Sequence, residues 1–459
     1  LNIPEDSTSR ETISFSNSGD DKMEITFKEH RGNEKTLVFA KNMTTAFQLI
    51  ADDDNRNISV IEQEVLRYQD LVVVGNEDEG YLLKLTSVAN GTTGTTNDRA
   101  KFTDVFSGDV LETTWTADGT GTLTVGGKSY TVKMSGNSNN ASEDYQVRLN
   151  YPDTTTDTEL VIYPTIQTSK DALVAFYEPA IINLTNIDTA GADLTKLRFP
   201  DGDGYTDISS ITSVNYTWTF PGTSTINVLT NVTAVNGLNS TLMTIGKLNY
   251  NITSTGKADQ VKIMLQDVGG VNIDSPAVII FEEKDNNAVY EALIVKLENG
   301  ATSDDGIGID DVERTWGNDS TLWETTMPGD SKLQKDADLW GTIITTDSSD
   351  SDQKTAIISY PDEQVYAQLF IGEVASVISP GSTTSGLGGQ VLVVKDSEVD
   401  SVKTKNLVVV GGSCINTVAA KILGSETPLC TSAFTEKTTV VAGQYIIKTV
   451  ASPYAAADS

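Results

Sequence analysis

The chain has 459 residues, with 64 Asp and Glu against 32 Lys and Arg and a formal net charge of −32. That charge repels phosphate, so it excludes nucleic-acid binding by phosphate neutralisation and disfavours an anionic membrane surface. A single histidine, His30, points away from most metalloenzymes and imidazole-dependent hydrolases, and no apolar run approaches the roughly 20 residues of a membrane-spanning helix.

Strand-type alternation dominates the chain. Lys22–Lys28 (KMEITFK) places apolar residues at every second position, the pattern of a half-buried strand. Thr44–Asp52 and Ile58–Tyr68 read as helices, the second with Val60, Ile61, Val65 and Leu66 at helical spacing. Gly121–Met134 predicts a hairpin, because Gly126-Gly127 supplies the positive φ angles of a tight turn. Further strands are expected at Tyr145–Tyr151, Glu159–Tyr163, Ile208–Phe220, Ser240–Thr253, Gln260–Asp267, Ala277–Glu283 and Val289–Leu297. Ala356–Tyr360 and Gln364–Ile371 flank Pro361-Asp362-Glu363 as another hairpin. Turn residues every ~10 positions suit sandwiches and barrels.

Ser379–Gly389 (SPGSTTSGLGG) reads as a linker, and the pattern changes after it. Val391–Val394, Leu407–Val410, Thr439–Val441 and Tyr445–Val450 are apolar without alternation, and a helix is expected from about Ile415 to Leu423, ended by Gly424. Apolar runs joined through helices predict a parallel sheet covered on both faces. The expected fold is mainly β and multi-domain. It comprises an N-terminal β-rich domain with short helices over 1–165, one or more β-sandwich-like domains over 166–378, and a C-terminal α/β unit with a largely parallel sheet over 379–459. That last unit leaves faces uncovered and is expected to be incomplete as given. Leu1–Asp6 lacks a signal-peptide layout and Ser452-Pro453 reads as a helix start, so the sequence reads as a piece of a longer chain.

The polar composition, 59 Thr, 38 Ser and 29 Asn, suits a protein outside the cell. Asn-x-Ser/Thr sequons at Asn42, Asn57, Asn90, Asn140, Asn183, Asn215, Asn231, Asn239, Asn251 and Asn318 are candidate glycan acceptors in a secretory setting. Cys414 and Cys430 are the only cysteines, and the sequence alone leaves two readings, a disulfide closing a short loop or two buried free thiols; an extracellular location favours the first. Val408–Ser413 has the strand, glycine turn and helix start that can cradle a phosphate, but it lacks G-x-G-x-x-G and reads as a packing turn. Asp201-Gly202-Asp203 with Asp207 resembles the start of a Ca²⁺ loop, although Thr212 stands where a bidentate Glu is needed; Asp304, Asp305, Asp310 and Asp311 form a second candidate. The scarcity of His and free thiolates argues against zinc or copper. His30, in the polar turn 28–33, reads as exposed and idle.

The C-terminal residues suggest a family. Gly389–Asp396 (GQVLVVKD), Lys405–Gly412 (KNLVVVGG) and Cys414–Lys421 (CINTVAAK), with Ser452-Pro453-Tyr454-Ala455 beyond, resemble the C-terminal region of archaeal surface-layer (S-layer) proteins. The likeness covers roughly 379–459 and is looser over the Thr-rich β part. It implies a secreted glycoprotein, not an enzyme, that assembles with copies of itself into a two-dimensional lattice on the cell surface. It carries over no functional residue. The alternative is a cell-surface adhesin or extracellular filament subunit. In either case the expected partners are other copies and glycans on Asn, with Ca²⁺ as a candidate bridge between acidic loops, no organic cofactor and no membrane span in this segment.

Overall fold

The structure is a computed structural model, and it describes residues 9–51, 56–76, 79–89, 99–117, 120–135, 146–150, 159–184, 194–214, 217–219, 225–227, 240–257, 260–283, 291–300, 306–315, 324–365, 394–441 and 444–454. The chain divides into two compact units, Leu1–Ala367 and Gln368–Ser459.

The first unit is mainly β. Its largest sheet has 13 strands and draws on both ends of the unit. Thr325–Met327, Asp330–Ala337, Ile343–Asp347 and Thr355–Pro361 lead into Arg10–Asn17, Lys22–Lys28, Glu34–Asn42, Phe47–Ala51, Arg56–Ser59, Leu71–Asn76, Glu79–Ala89, Arg99–Asp104 and Val110–Glu112. The join is the antiparallel pairing of Arg10–Asn17 with Thr355–Pro361, where Ile13 lies opposite Ile358 and Glu11 opposite Tyr360. The large sheet therefore joins strands from both sides of the boundary expected at 165. Ile13 and Phe15 reach their buried positions only once a strand some 340 residues away is in place. The chain also divides after Ala367, ahead of the expected break at 378.

Alternation does what it should in these strands. Met23, Ile25 and Phe27 are fully buried while Lys22, Glu24 and Thr26 alternate with them on the opposite face. The hairpin expected over Gly121–Met134 forms from Thr120–Val125 and Lys128–Ser135, with Gly126 and Gly127 at φ +54° and +76°. Both helices expected near the N-terminus are absent. Phe47–Ala51 and Arg56–Ser59 are strands, and the chain from Val60 to Asp70 runs through turns with single bridges, Ile61 to Ile162 and Leu66 to Val147. Tertiary bonds override the helical spacing there. The Glu62 carboxylate accepts from the Val161 amide, the Glu64 carboxylate accepts from the Ser59 hydroxyl, and Gln63 and Gln69 take left-handed backbone angles that no α-helix tolerates.

Five further sheets complete the unit. The five-stranded one runs Thr165–Gln167, Leu173–Tyr177, Ala277–Phe281, Ala292–Asn299 and Ile307–Arg314. Its central strands, LVAFY and AVIIF, are buried at every position and pair antiparallel, so unbroken apolar runs here mark a sheet covered on both faces, not a parallel one. Tyr177 ties this sheet to the four-stranded one of Ala180–Asn183, Gln260–Gln266, Leu248–Ser254 and Ser240–Ile245. Its hydroxyl donates to the Ile273 carbonyl (2.8 Å) and accepts from the Leu265 amide (2.8 Å). Around it, Tyr163, Phe199 and Tyr250 form a buried aromatic cluster with ring centroids 4.8–6.1 Å apart.

The second unit contains the expected helix, Thr417–Ile422, and a second one, Thr431–Thr438. Asn416 caps the first through its side chain, which accepts from the Ala419 amide (3.0 Å). The Asp396 carboxylate accepts from both the amide and the hydroxyl of Thr417 (2.7 and 2.8 Å). No strand occurs among the described residues of this unit. Leu407–Val410, Thr439–Val441 and Tyr445–Val450 have no ladder partner, and 391–393 lies outside the described residues, so the expected parallel sheet is not present among the described residues.

Candidate functional site

The residues singled out by sequence fall into two groups, those whose polar atoms are already engaged and those that stand at the surface. The aspartates of 201–207 belong to the first group. Lys196–Asp201 and Gly204–Ser209 form a tight antiparallel hairpin, which sets Asp201 opposite Gly204 and Asp207 opposite Arg198. Asp207 is held by Arg198 Nε (2.7 Å) and Lys196 Nζ (3.4 Å). Asp201 accepts from the Asp203 amide (2.9 Å) and from the Thr206 hydroxyl. Strand pairing thus spaces the carboxylates along a ladder and sets Asp207 against Arg198 and Lys196.

Asp310 and Asp311 sit in a bulge of Ile307–Arg314, where Lys296 lies opposite Asp311 and Leu297 opposite Ile309. Lys296 gathers the acids of this corner: Glu313, Asp310 (3.4 Å) and Asp267 (3.8 Å). Asp304 and Asp305 lie outside the described residues. Among the described residues no cluster of three or more His, Cys, Asp or Glu is arranged to hold a metal ion.

Four of the ten sequons are described. Asn42 is buried, with its amide nitrogen donating to the Gly306 carbonyl (2.9 Å) and to Asn299 (3.2 Å), so the folded protein offers no room for a glycan there. Asn183 and Asn251 are half-buried and bonded to Gln260 (2.9 Å) and Asn272 (3.1 Å). Asn57 is exposed, and is the described sequon whose asparagine stands clear. Asn90, Asn140, Asn215, Asn231, Asn239 and Asn318 lie outside the described residues.

Cys414 and Cys430 form a disulfide with Cα atoms 4.7 Å apart. It locks the approach to the two helices of the second unit, beside the paired Ser413 and Leu429, whose main chains bond at 3.0 Å. Gly411, at φ +124°, lets the chain turn so that the Asn416 side chain donates to the Val410 carbonyl (3.1 Å). The turn closes on its own side chains, as a packing turn does.

His30 is not idle. Its ring meets the edge of Tyr81 (5.4 Å) and its Nδ1 lies 3.2 Å from Glu29. Glu29, fully buried, is the hub of a polar knot that the sequence did not advertise. Its carboxylate accepts from the amides of Arg31 and Asn33 and from both of their side chains, and Arg31 passes on to Asp104 (2.6 Å) and over the Tyr81 ring (4.6 Å). Burial pushes the Glu29 carboxyl up, but these donors outweigh it and hold it below the usual carboxylate range.

The second group lies in segments that sequence reasoning placed in a sheet or, for Ile415, at the start of a helix. In the second unit Val408, Val410, Ile415, Val441, Tyr445, Ile446 and Ile447 are exposed, Val408 at 93 % and Ile447 at 76 %. The same unit holds six lysines and seven acids, a net charge of −1, which leaves −31 on the first unit. These exposed apolar side chains therefore stand on a nearly neutral unit of an otherwise strongly acidic chain. No family model, no curated protein and no solved structure matches this chain.

Proposed function

We propose that the chain is a structural subunit of a secreted archaeal surface layer, which assembles with copies of itself into a two-dimensional lattice on the cell. The observation that supports this most is the display of seven large apolar side chains on the neutral second unit. Each such side chain gains roughly 1.5–3 kcal/mol on full burial. Contacts made through this unit gain that energy while keeping the bodies, each of charge −31, apart. At physiological salt the repulsion between them fades beyond about 8 Å. The Thr-rich faces of the body and the resemblance of 379–459 to surface-layer proteins agree with this reading. In it, Leu407–Val410 and Tyr445–Val450 take up strand pairing, and the α/β sheet closes, only when a partner strand is supplied.

Electron microscopy of the purified protein at physiological salt tests the proposal. Planar arrays are the expected result, and Val408→Asp with Ile447→Asp should abolish them without unfolding the body. Fibres would favour the adhesin or filament reading instead, and dispersed monomers at high concentration would overturn both.

A further inference from the structure

The corner where the large sheet meets the five-stranded sheet buries more acid than it neutralises. Glu282 follows Ala277–Phe281 of the five-stranded sheet, and Asp338 follows Asp330–Ala337 of the large one. Glu282 is fully buried, and one of its oxygens, Oε1, accepts from the buried Thr342 hydroxyl. One oxygen of Asp338, Oδ1, accepts from the amides of Gly341 and Thr342 (2.9 Å each). The remaining oxygen of each, Glu282 Oε2 and Asp338 Oδ2, is out of contact with solvent and no hydrogen-bond donor reaches it. Thr342 joins the two carboxyl groups, its hydroxyl donating to Glu282 and its amide to Asp338.

Two bare carboxylates in that position would leave two buried acceptors without a donor and two like charges on either side of one threonine. One proton resolves both problems: it sits on Glu282 and is donated to Asp338, which keeps its charge. We propose that Glu282 and Asp338 hold one shared proton and act as a proton-dependent clamp between the two sheets. The surroundings fit that assignment. Arg314, buried on the last residue of Ile307–Arg314, faces Asp338, and its guanidinium is fixed by Asp336 (2.9 Å) and the Ala337 carbonyl (3.0 Å). One cation therefore stands near Asp338 and favours leaving the charge on that side. Glu282 instead faces the Glu291 carboxyl, which disfavours a charge there, and the neutral Tyr360 hydroxyl. The neighbouring Glu283 faces Asp171 and Asp362, and its amide donates to Tyr360 (3.2 Å), a second tie across the same corner. Burial is the main cause that raises the carboxyl of Glu282, with Asp338 adding to it, and burial also raises Asp338.

The sign of the coupling follows. The folded state keeps a proton that the unfolded chain has lost, so the clamp's stabilisation is complete below the ordinary carboxylate range and is lost as pH rises through the pair's own titration. Across that window the folding equilibrium weakens by up to about tenfold per pH unit for the one proton. Glu282→Gln is the discriminating variant, because its amide donates the same hydrogen bond to Asp338 at every pH. Infrared difference spectra between about pH 5 and about pH 8 should show, in the wild type, one protonated carboxylic acid carbonyl more than in Glu282→Gln, over the signal that Glu178 gives in both. Urea titrations over the same range should show a pH slope shallower by one proton in the variant. The inference is overturned if the two proteins lose stability in parallel, or if the acid carbonyl signal of the variant equals that of the wild type. It is also overturned if added Ca²⁺ stabilises the wild type alone at the upper pH, which would make the pair a cation site. Should Glu282→Gln fail to fold, Asp338→Asn takes its place: a pH slope shallower by one proton supports the shared proton, and an unchanged slope overturns it.

Discussion

Leu-Val-Val-Val-Gly occurs at 71–75 in the first unit and at 407–411 in the second, and the two copies meet different surroundings. In the first, Leu71 and Val73 enter one core and Val72 and Val74 another, all at most 4 % exposed. The strand pairs parallel with Arg56–Ser59 and antiparallel with Glu79–Ala89. In the second, the same residues form no ladder among the described residues, and Val408 and Val410 are 93 % and 63 % exposed. An apolar run fixes that a segment needs cover on both faces. It does not supply the cover, which in the first unit comes from strands far along the chain.

Substituting matched positions of the two copies is the sharpest way to break this comparison. Val73→Asp buries an unpaired charge and should destabilise the first unit by about 4 kcal/mol or more, so that it fails to unfold cooperatively. Val408→Asp should change thermal stability by less than about 0.5 kcal/mol while reducing assembly. Equal effects in calorimetry and sedimentation would mean that the second copy is buried in the isolated protein after all. Reduction comes next in size. Opening Cys414–Cys430 should cost the second unit about 3 kcal/mol, from the closed loop of 16 residues. The first unit, without cysteine, should melt unchanged in the same scan.

Raised carboxyls of the first unit and the lowered Asp396 of the second should answer pH in opposite senses. Burial pushes the Glu178 carboxyl up to about 7, with Glu64 adding to it, and burial likewise raises Glu11 and Asp70 against the hydrogen bonds they accept. Raised values contribute stability that is full below the ordinary carboxylate range and is lost as pH rises, so the first unit should weaken between about pH 5 and about pH 8. Glu178→Gln should flatten part of that slope in urea titrations. In the second unit the Thr417 amide and hydroxyl hold Asp396 below the usual range. Its contribution is present above that range and is lost as pH falls, so Asp396→Asn should alter only the acid limb, and by the smaller amount. At the periphery, mass spectrometry of protein from a secretory host should find glycan at Asn57 and none at Asn42, because only the first asparagine is exposed when folded.

Local pattern determined much of this protein. Period-two alternation in 22–28, the Gly126-Gly127 hairpin, the Asn416-capped helix and the paired cysteines are all decided by residues within a few positions or by a short loop. Tertiary structure decided what depends on partners. Val60, Ile61, Val65 and Leu66 carry helical spacing, yet the Val161 amide and the bridge from Leu66 to Val147 draw the segment into turns. Asp207 reads as a calcium ligand until the hairpin places Arg198 opposite it. Glu29, Glu282 and Asp338 look like any of 64 acids in sequence, because what distinguishes them is the donors and carboxyl groups that folding brings within hydrogen-bond reach. Periodicity reports which faces must be covered; only the assembled sheets decide which strand, cation or proton covers them.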